Sequence, residues 1–409
     1  MVRQGFFVAL AVATFASATV ADDWLQFRGR GSRGSASGAE DRDGVLPVEW
    51  DETHNIAWNV ALPGRGLSSP IVVGDQVVVT ANSGPDRHRL HVLCFAVATG
   101  NLEWERQFFA TGRTRCHPAT SMAAPTPVSD GEAIYVLFAT NDLFCFDLEG
   151  NLRWLRALNQ DYPAASQSVG MASSPVIGDG VLVLQLENDS DSIALGIDTE
   201  TGANVWKIPR PKGVSWSSPC VMESVGGEPA TVVLQSGSGF HVYKLRDGLE
   251  LSTGAQNCDR IVSPTTADGV VYVPSEGIRA VRPVHGGTPE IVWYNERLRA
   301  STPSPVVYRD HIYTYAAPAL RCAKLSDGKV AWQLRVDGKF SSTPVAAGGH
   351  LYFFDETGTC HVVKIPETGD ETAEIRCANK LGEKIFCTPA VAGGALYVRS
   401  DQTLWKIAK

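Results

Sequence analysis

Beyond residue 20 the 409-residue chain has no apolar run of membrane-spanning length and no stretch that reads convincingly as a helix. A spanning helix needs about 20 apolar residues, so the body of the protein is not expected to cross a membrane. No Gly-rich loop leads from a strand into a helix, and no G-x-S-x-G elbow occurs. The local signatures of phosphate cradles and of α/β-hydrolase catalysis are therefore missing. Ser121, His117 and Asp142 lie in loops that can come together, but such a trio arises in many surface loops by chance and carries no hydrolase reading without an elbow. Positive charge is also short. The formal net charge is −8, and it becomes −9 without residues 1–21, which hold only Arg3 among charged residues. That balance argues against nucleic acid as a general partner.

What is present is a repeated sentence of short β-rich runs. Residues 173–206 show it most fully, as three strands and the start of a fourth. Ser174-Pro175-Val176-Ile177 opens the unit, Gly178-Asp179-Gly180 turns it, and Val181 to Leu186 is a second strand. The acidic loop Glu187 to Asp191 then leads to Ile193–Ile197, and Asp198-Thr199-Glu200-Thr201-Gly202 turns the chain toward Trp206. Asp can cap backbone amides in such a turn, and Gly adopts the left-handed conformation that other residues resist. The Gly-to-Trp spacing recurs at Gly100 and Trp104, Gly150 and Trp154, and Gly328 and Trp332. The opening proline recurs at positions 70, 127, 175, 219, 264, 305, 344 and 389. A period near about 45 residues with four short strands per unit is the mark of propeller blades, and eight anchors imply eight blades. The repeats override the expectation of two or three domains for this length, because a closed ring is one domain.

The last repeat lacks a fourth strand, while Asn55 to Val60 forms an orphan strand around Trp58 ahead of the first anchor. Trp58 precedes Pro70 by 12 residues, the gap that also separates Trp332 from Pro344. Pairing this strand into the last blade is expected to close the ring and hide a sheet edge. The pattern S-x-P, then G-G/D-x-V-Y-V, then L-x-A-x-D-x-x-T-G-x-x-x-W resembles the quinoprotein-like (PQQ-like) β-propeller repeat family over roughly residues 50–409. That family includes pyrroloquinoline-quinone (PQQ) alcohol dehydrogenases and a non-enzymatic propeller for outer-membrane-protein assembly. The resemblance implies an all-β, eight-bladed propeller of four-stranded antiparallel blades. One fold hosts several functions, so activity does not follow from it.

Residues 1–21 read as a secretory signal, with Arg3, an apolar run from Phe6 to Val20, and small residues before Asp22. The mature protein is expected to be soluble and either periplasmic or secreted. No cysteine lies near the cut, so the lipid anchor typical of the assembly propeller is not offered. Residues 22–48 form a Gly/Ser/Arg-rich arm, and the propeller is expected over residues 49–409. Trp24 and Phe27 would pin the start of the arm, its polar middle cannot fold alone, and its tail is expected to be mobile. Arg28, Arg30 and Arg33 offer a docking patch for an anion, though the favoured reading is a solvated linker.

None of the nine cysteines is adjacent to another. The family's dehydrogenases carry a vicinal disulfide ring beneath the cofactor, so this counts against their chemistry. Cys94, Cys145 and Cys322 fall at equivalent third-strand positions, as buried inert thiols would. Cys360 and Cys377 flank Glu367-Thr368-Gly369 and are placed to face each other as a hairpin disulfide. The fourth and seventh repeats have Ser252 and Ala373 where Trp is expected, which suggests loose outer edges able to accept a partner strand.

Loop length is the functional clue. From Trp to the next anchor proline the link is 12 or 13 residues after Trp58, Trp206, Trp293 and Trp332, but 23 after Trp104 and 21 after Trp154. Extra length on adjacent blades at one end is how a rigid scaffold acquires a site. The first long link carries Arg113, Arg115, Cys116 and His117, and the second carries Tyr162, Ser166 and Gln167. Asn141, Asp142, Glu187, Asn188, Asp189, Asp191 and Trp216 belong to the same end. Three chemistries compete for this cup. In a cofactor site, Arg113, Arg115 and His117 would hold PQQ with Trp216 stacked on it, and Glu187, Asn188 and Asp189 would offer oxygens to Ca²⁺. A transition-metal site would use Cys116, His117 and His88 or His91. A structural role would leave these residues satisfying turns. Weighed together, the sequence is read as an exported binding or assembly scaffold whose protein or peptide partner docks on the long-loop face. The alternative is a quinoprotein-type oxidoreductase.

Overall fold

The computed structural model describes residues 23–165, 170–224, 229–254, 257–366 and 371–409. The expected signal segment, Ser166, Gln167 and the Glu367-Thr368-Gly369 turn lie outside the described residues. Eight four-stranded antiparallel sheets make up the body. The short first strands, such as Ile71–Val73, Val176–Gly178 and Ala390–Ala392, contact one another from blade to blade, and the contacts between Ile71–Val73 and Ala390–Ala392 close the ring. Seven blades consist of consecutive strands. The eighth pairs Thr403–Ile407 with Ile56–Ala61, so the Trp58 strand closes the ring as its sequence position implies. Closure removes the sheet edge that an incomplete blade would leave.

Burial follows position in the blade. Second strands such as Val181–Leu186 and Thr231–Ser236 are buried at every residue, because neighbouring sheets cover both faces. Outer strands alternate, as in Ile56–Ala61.

Two repeated devices hold blade to blade, and both are written in the sequence. The hydroxyl residue just before seven of the eight anchor prolines accepts a bond from the backbone N–H of its counterpart one blade earlier. Ser69 N–H donates to Thr126, Thr126 to Ser174, Ser174 to Ser218, Ser218 to Ser263, Ser263 to Ser304, Ser304 to Thr343, and Thr343 to Thr388, at 2.9–3.1 Å. These N–H groups are buried, so each would be costly to leave unpaired. The second device is the repeat tryptophan. Its indole N–H donates to a carbonyl in the next blade's outer turn, as Trp104 does to Leu148 O at 2.9 Å and Trp206 to Leu245 O at 2.9 Å. The ring lies on that turn's glycine: a Cβ on Gly150 would stand 2.5 Å from the Trp104 ring. The Gly-to-Trp spacing within one repeat thus serves a contact between two. In the turn itself Asp198 accepts from the Thr201 amide and hydroxyl, which hold its carboxyl below the ordinary carboxylate range.

Where the repeat loses its tryptophan, the chain covers the outer strand itself. In the fourth blade Ser252 bridges to Gly287, and Gly286 N–H donates to Leu251 O at 2.8 Å. In the seventh, Cys377 and not Ala373 occupies the tryptophan position, paired with Val362 at the bulge. Trp50, from ahead of the ring, stacks on Phe354 there, and the Asn379 side chain bonds Val48 O and Trp50 N–H. The expectation of open edges on these blades is therefore corrected. So is the Cys360–Cys377 disulfide: both thiols are free, because Cys360 pairs with Asn379 and Cys377 with Val362, leaving them diagonal to each other. Cys94, Cys145 and Cys322 are buried opposite Trp104, Trp154 and Trp332, and burial pushes the Cys145 and Cys322 thiols up to about 12.

The arm departs most from its reading. Trp24 exchanges both backbone bonds with Val72, Ser129 N–H donates to Leu25 O, Val307 N–H to Arg33 O, and Ala346 bonds both Gly34 and Ala36. Arg28 is fully buried and donates to the carbonyls of Pro264 and Pro305. Burial lowers its guanidinium to about 10. Arg30 forms a two-bond pair with Glu223, and Arg33 donates to Thr266 O. Residues 24–36 thus run across the first strands of the first, second, fourth, fifth, sixth and seventh blades as an ordered strap.

Candidate functional site

In an antiparallel four-stranded blade, the second-to-third-strand loop and the link to the next blade emerge at one end, and the remaining turns at the other. The arm lies at the turn end. The two long links, residues 110–127 and 158–175, lie at the link end. They are joined to each other. Thr111 N–H donates to the Asp142 carboxylate, Asn159 donates to Thr111 O, and Asn141 donates to Ala165 O. A short helix, Leu158–Asp161, begins the second link. Tyr162 is held by the Asn204 amide at 2.6 Å and by Lys207 over its ring.

The expected cup is partly assembled. Trp216 donates its indole N–H to Gly170 O at 2.8 Å, and a Cβ on Gly170 would stand 2.8 Å from that of Cys116. Three consecutive links therefore meet at Gly170. Arg113, Arg115 and His117 all point into solvent, with His117 Nδ1 accepting from Ala119 N–H. Asp142 accepts from Thr111 and Thr140, and the Ser121 hydroxyl is buried, so the Ser121–His117–Asp142 trio makes no triad.

The residues read as calcium ligands diverge. Glu187 and Arg210 form a 2.8 Å ion pair with both side chains fully buried. Burial pushes the Glu187 carboxyl up, against the opposing pull of Arg210. The Asn188 amide closes its own loop, accepting from Ser190 N–H and donating to Asp191 O. Asp189 is exposed. These three do not form a joint oxygen set. The transition-metal reading disperses likewise: His91 sits buried between Ser83 and Glu105, Cys116 lies 3.1 Å from Arg87, and His117 is exposed. Among the described residues no group of three or more His, Cys, Asp or Glu is placed to hold a metal ion.

Two features escaped the sequence reading. A groove of about 1210 Å³ lies on the turn side between arm residues 30–41 and blades four to six, lined by Arg30, Arg33, Glu223, Asp268, Val307 and Tyr308 among others. It depends on the ordered arm, which no local pattern announces. On the link side, Arg87 and Arg89 from the first blade's own loop join the first long link beside His88, which the sequence groups with it only as a metal ligand. The wide interval between Pro70 and Pro127 was the available signal.

Closed ring, hydroxyl girdle and tryptophan docking together define a quinoprotein-like eight-bladed propeller. The family model described as outer membrane protein assembly factor BamB matches residues 39–214, 108–314 and 276–371, and the chain belongs to that family. No curated protein matches it. Among solved structures, BamB from Moraxella catarrhalis is similar at 16% identity over 86% of this chain and 96% of that one, with a TM-score of 0.61. A quinohemoprotein alcohol dehydrogenase from Comamonas testosteroni is similar at 12% identity over 96% of this chain and 81% of the other, with a TM-score of 0.66. A europium-containing methanol dehydrogenase is similar at 11% identity, over 95% and 98%, with a TM-score of 0.58. Such identities speak to fold alone. No helix among the described residues is long and apolar enough to cross a membrane.

Proposed function

We propose that this protein is an exported, non-enzymatic scaffold that binds a protein or peptide partner on the link side of its first two blades. The observation that carries this reading is the disposition of the added chain length. Links 110–127 and 158–175 brace each other and Trp216 through internal bonds, while Arg113, Arg115 and His117 are left facing outward. A braced loop with unused charged groups suits recognition of another surface. Export rests on the apolar run and small residues of positions 1–21. Membership of a family described by an assembly factor supports the scaffold over the oxidoreductase.

The test places a photo-crosslinker at Arg115 in the intact protein, and a second at Arg297 on the far side of the same end, in the native cell envelope. A discrete adduct from position 115 and not from 297 is expected; adducts from 297 alone contradict the reading. A parallel titration with PQQ, with and without Ca²⁺, follows the fluorescence of the ten tryptophans. A flat curve is expected. Saturable, Ca²⁺-dependent quenching lost in Arg115→Ala would establish the quinoprotein alternative instead.

A further inference from the structure

Around one exposed ring, the link side of the first blade gathers four arginines that take part in no ion pair among the described residues. Residues 84–89 read GPDRHR, and residues 109–118 read FATGRTRCHP. Together they hold Arg87, Arg89, Arg113 and Arg115 against a single acid, Asp86, with His88 and His117 among them. The structure joins the two segments. Ala110 N–H donates to His88 O at 2.8 Å, and Arg89 faces Phe109 in register. The His88 ring stacks on Phe109 at 5.4 Å with planes 9° apart, and the Arg89 guanidinium lies 5.9 Å from the same ring. Arg65 donates to Pro118 O, so the strand-closing link supports the outer end of the cluster. Phe109 remains 66% exposed, the largest value among the exposed large apolar side chains of the described residues.

Several surface arginines elsewhere are answered by carboxylates: Arg30 by Glu223, Arg156 by Asp161, Arg282 by Glu290, Arg335 by Asp337 and Arg376 by Glu374. Arg297 and Arg299, across the ring beside Arg321, are likewise in no ion pair among the described residues, but no exposed phenylalanine lies among them. Among the described residues, none of Arg87, Arg89, Arg113 and Arg115 takes part in an ion pair, although the protein as a whole is acidic.

We infer that this cluster is a docking site for an acidic segment of a protein partner that also carries an apolar or aromatic side chain to cover Phe109. The inference rests on the scaffold reading above and names the chemistry of its partner. Arginines around an aromatic anchor are the composition of interface hot spots. Complementary charge adds association rate and discrimination against wrong partners. A long polyphosphate fits less well, because it would run past the patch onto a body of net charge −8. A short acidic segment stays within about one Debye length, ~8 Å, of the four arginines.

The experiment uses the intact protein and fluorescence anisotropy with three labelled probes: a Glu/Asp-rich peptide containing one Phe, a Lys-rich peptide of equal length, and oligothymidylate. The acidic peptide is expected to bind saturably and to weaken roughly tenfold from low to physiological salt. Joint Arg113→Glu and Arg115→Glu, or Phe109→Ser alone, should each cost at least about tenfold in affinity. Joint Arg297→Glu and Arg299→Glu, the same charge change at exposed positions across the ring, should leave binding unaltered. All these positions are exposed, so the variants are expected to fold, and circular-dichroism melts verify that. Binding of the Lys-rich peptide or of oligothymidylate as tightly as the acidic one, or equal loss from both Glu pairs, overturns the inference. If the acidic peptide fails to bind while position 115 still crosslinks a partner, this inference falls and the scaffold reading stands. If the peptide binds while no partner crosslinks at 115, the scaffold reading falls instead.

Discussion

The two ends of this ring use sequence of similar polarity for opposite purposes. At the turn end, Gly/Ser/Arg-rich residues 24–36 are tied down by backbone bonds to Val72, Ser129, Val307 and Ala346, and Arg28 is sealed among carbonyls. At the link end, the long links are braced by side-chain and backbone bonds together, yet their arginines face solvent. The difference teaches that composition does not decide order. Matched donors and acceptors do. The arm's path turns sharply through left-handed backbone at Arg28 and Gly29. A Cβ on Gly29 would stand 2.9 Å from the Trp24 ring, so the glycine allows the close turn and is no sign of looseness.

The comparison can be broken at its charged anchors. Glu187→Ala at the link end strands a buried guanidinium and should cost about 3–5 kcal/mol in urea unfolding. Arg28→Leu removes donors from two buried carbonyls and should cost about 2–4 kcal/mol. It should also make trypsin cut at Arg30 or Arg33 well before the ring unfolds. If cleavage there is unchanged, the arm is held by its backbone bonds alone. Ser174→Ala leaves the Thr126 N–H without its acceptor and should cost about 1–2 kcal/mol, a loss read as a lowered melting temperature. Joint Arg113→Glu and Arg115→Glu should change stability by no more than about 0.5 kcal/mol, since these side chains are exposed and hold nothing in place. The smallest effect is with pH. Burial, then Arg210, lowers the folded-state affinity of His241 for a proton from its ordinary value of 6.5. Its contribution to stability is therefore present above pH 6.5 and lost as the pH falls below it, a slight decline visible in melts between neutral and mildly acid buffer.

Fold and site were unequally legible in the sequence. The anchor prolines, the Asp-to-Gly turn and the tryptophans each report a contact made once per blade, so repetition exposes them, and the orphan Trp58 strand follows by counting. Contacts made only once leave no period. Trp50 standing in for the lost tryptophan of the seventh blade, Gly287 bridging to Ser252, and Arg28 reaching carbonyls 236 and 277 residues away are all of that kind. The Cys360–Cys377 pairing failed for a related reason. The bulge beside Val362 shifts the register that symmetric spacing around a turn assumes. At the link end, unequal link length pointed to the loop of Arg113, Arg115 and His117, which the fold leaves exposed. Glu187, acidic and in the neighbouring loop, was drawn inward by Arg210, whose place beside it depends on packing across the sheet.

Hydrogen exchange of the intact protein, read by mass spectrometry with and without the acidic peptide, tests the contrast between the two ends most directly. Residues 24–36 are expected to be protected like the blade strands in both samples, and the peptide to slow exchange in residues 84–89 and 109–118. An arm that exchanges as fast as an unfolded chain, or protection by the peptide confined to the turn end, would contradict that contrast.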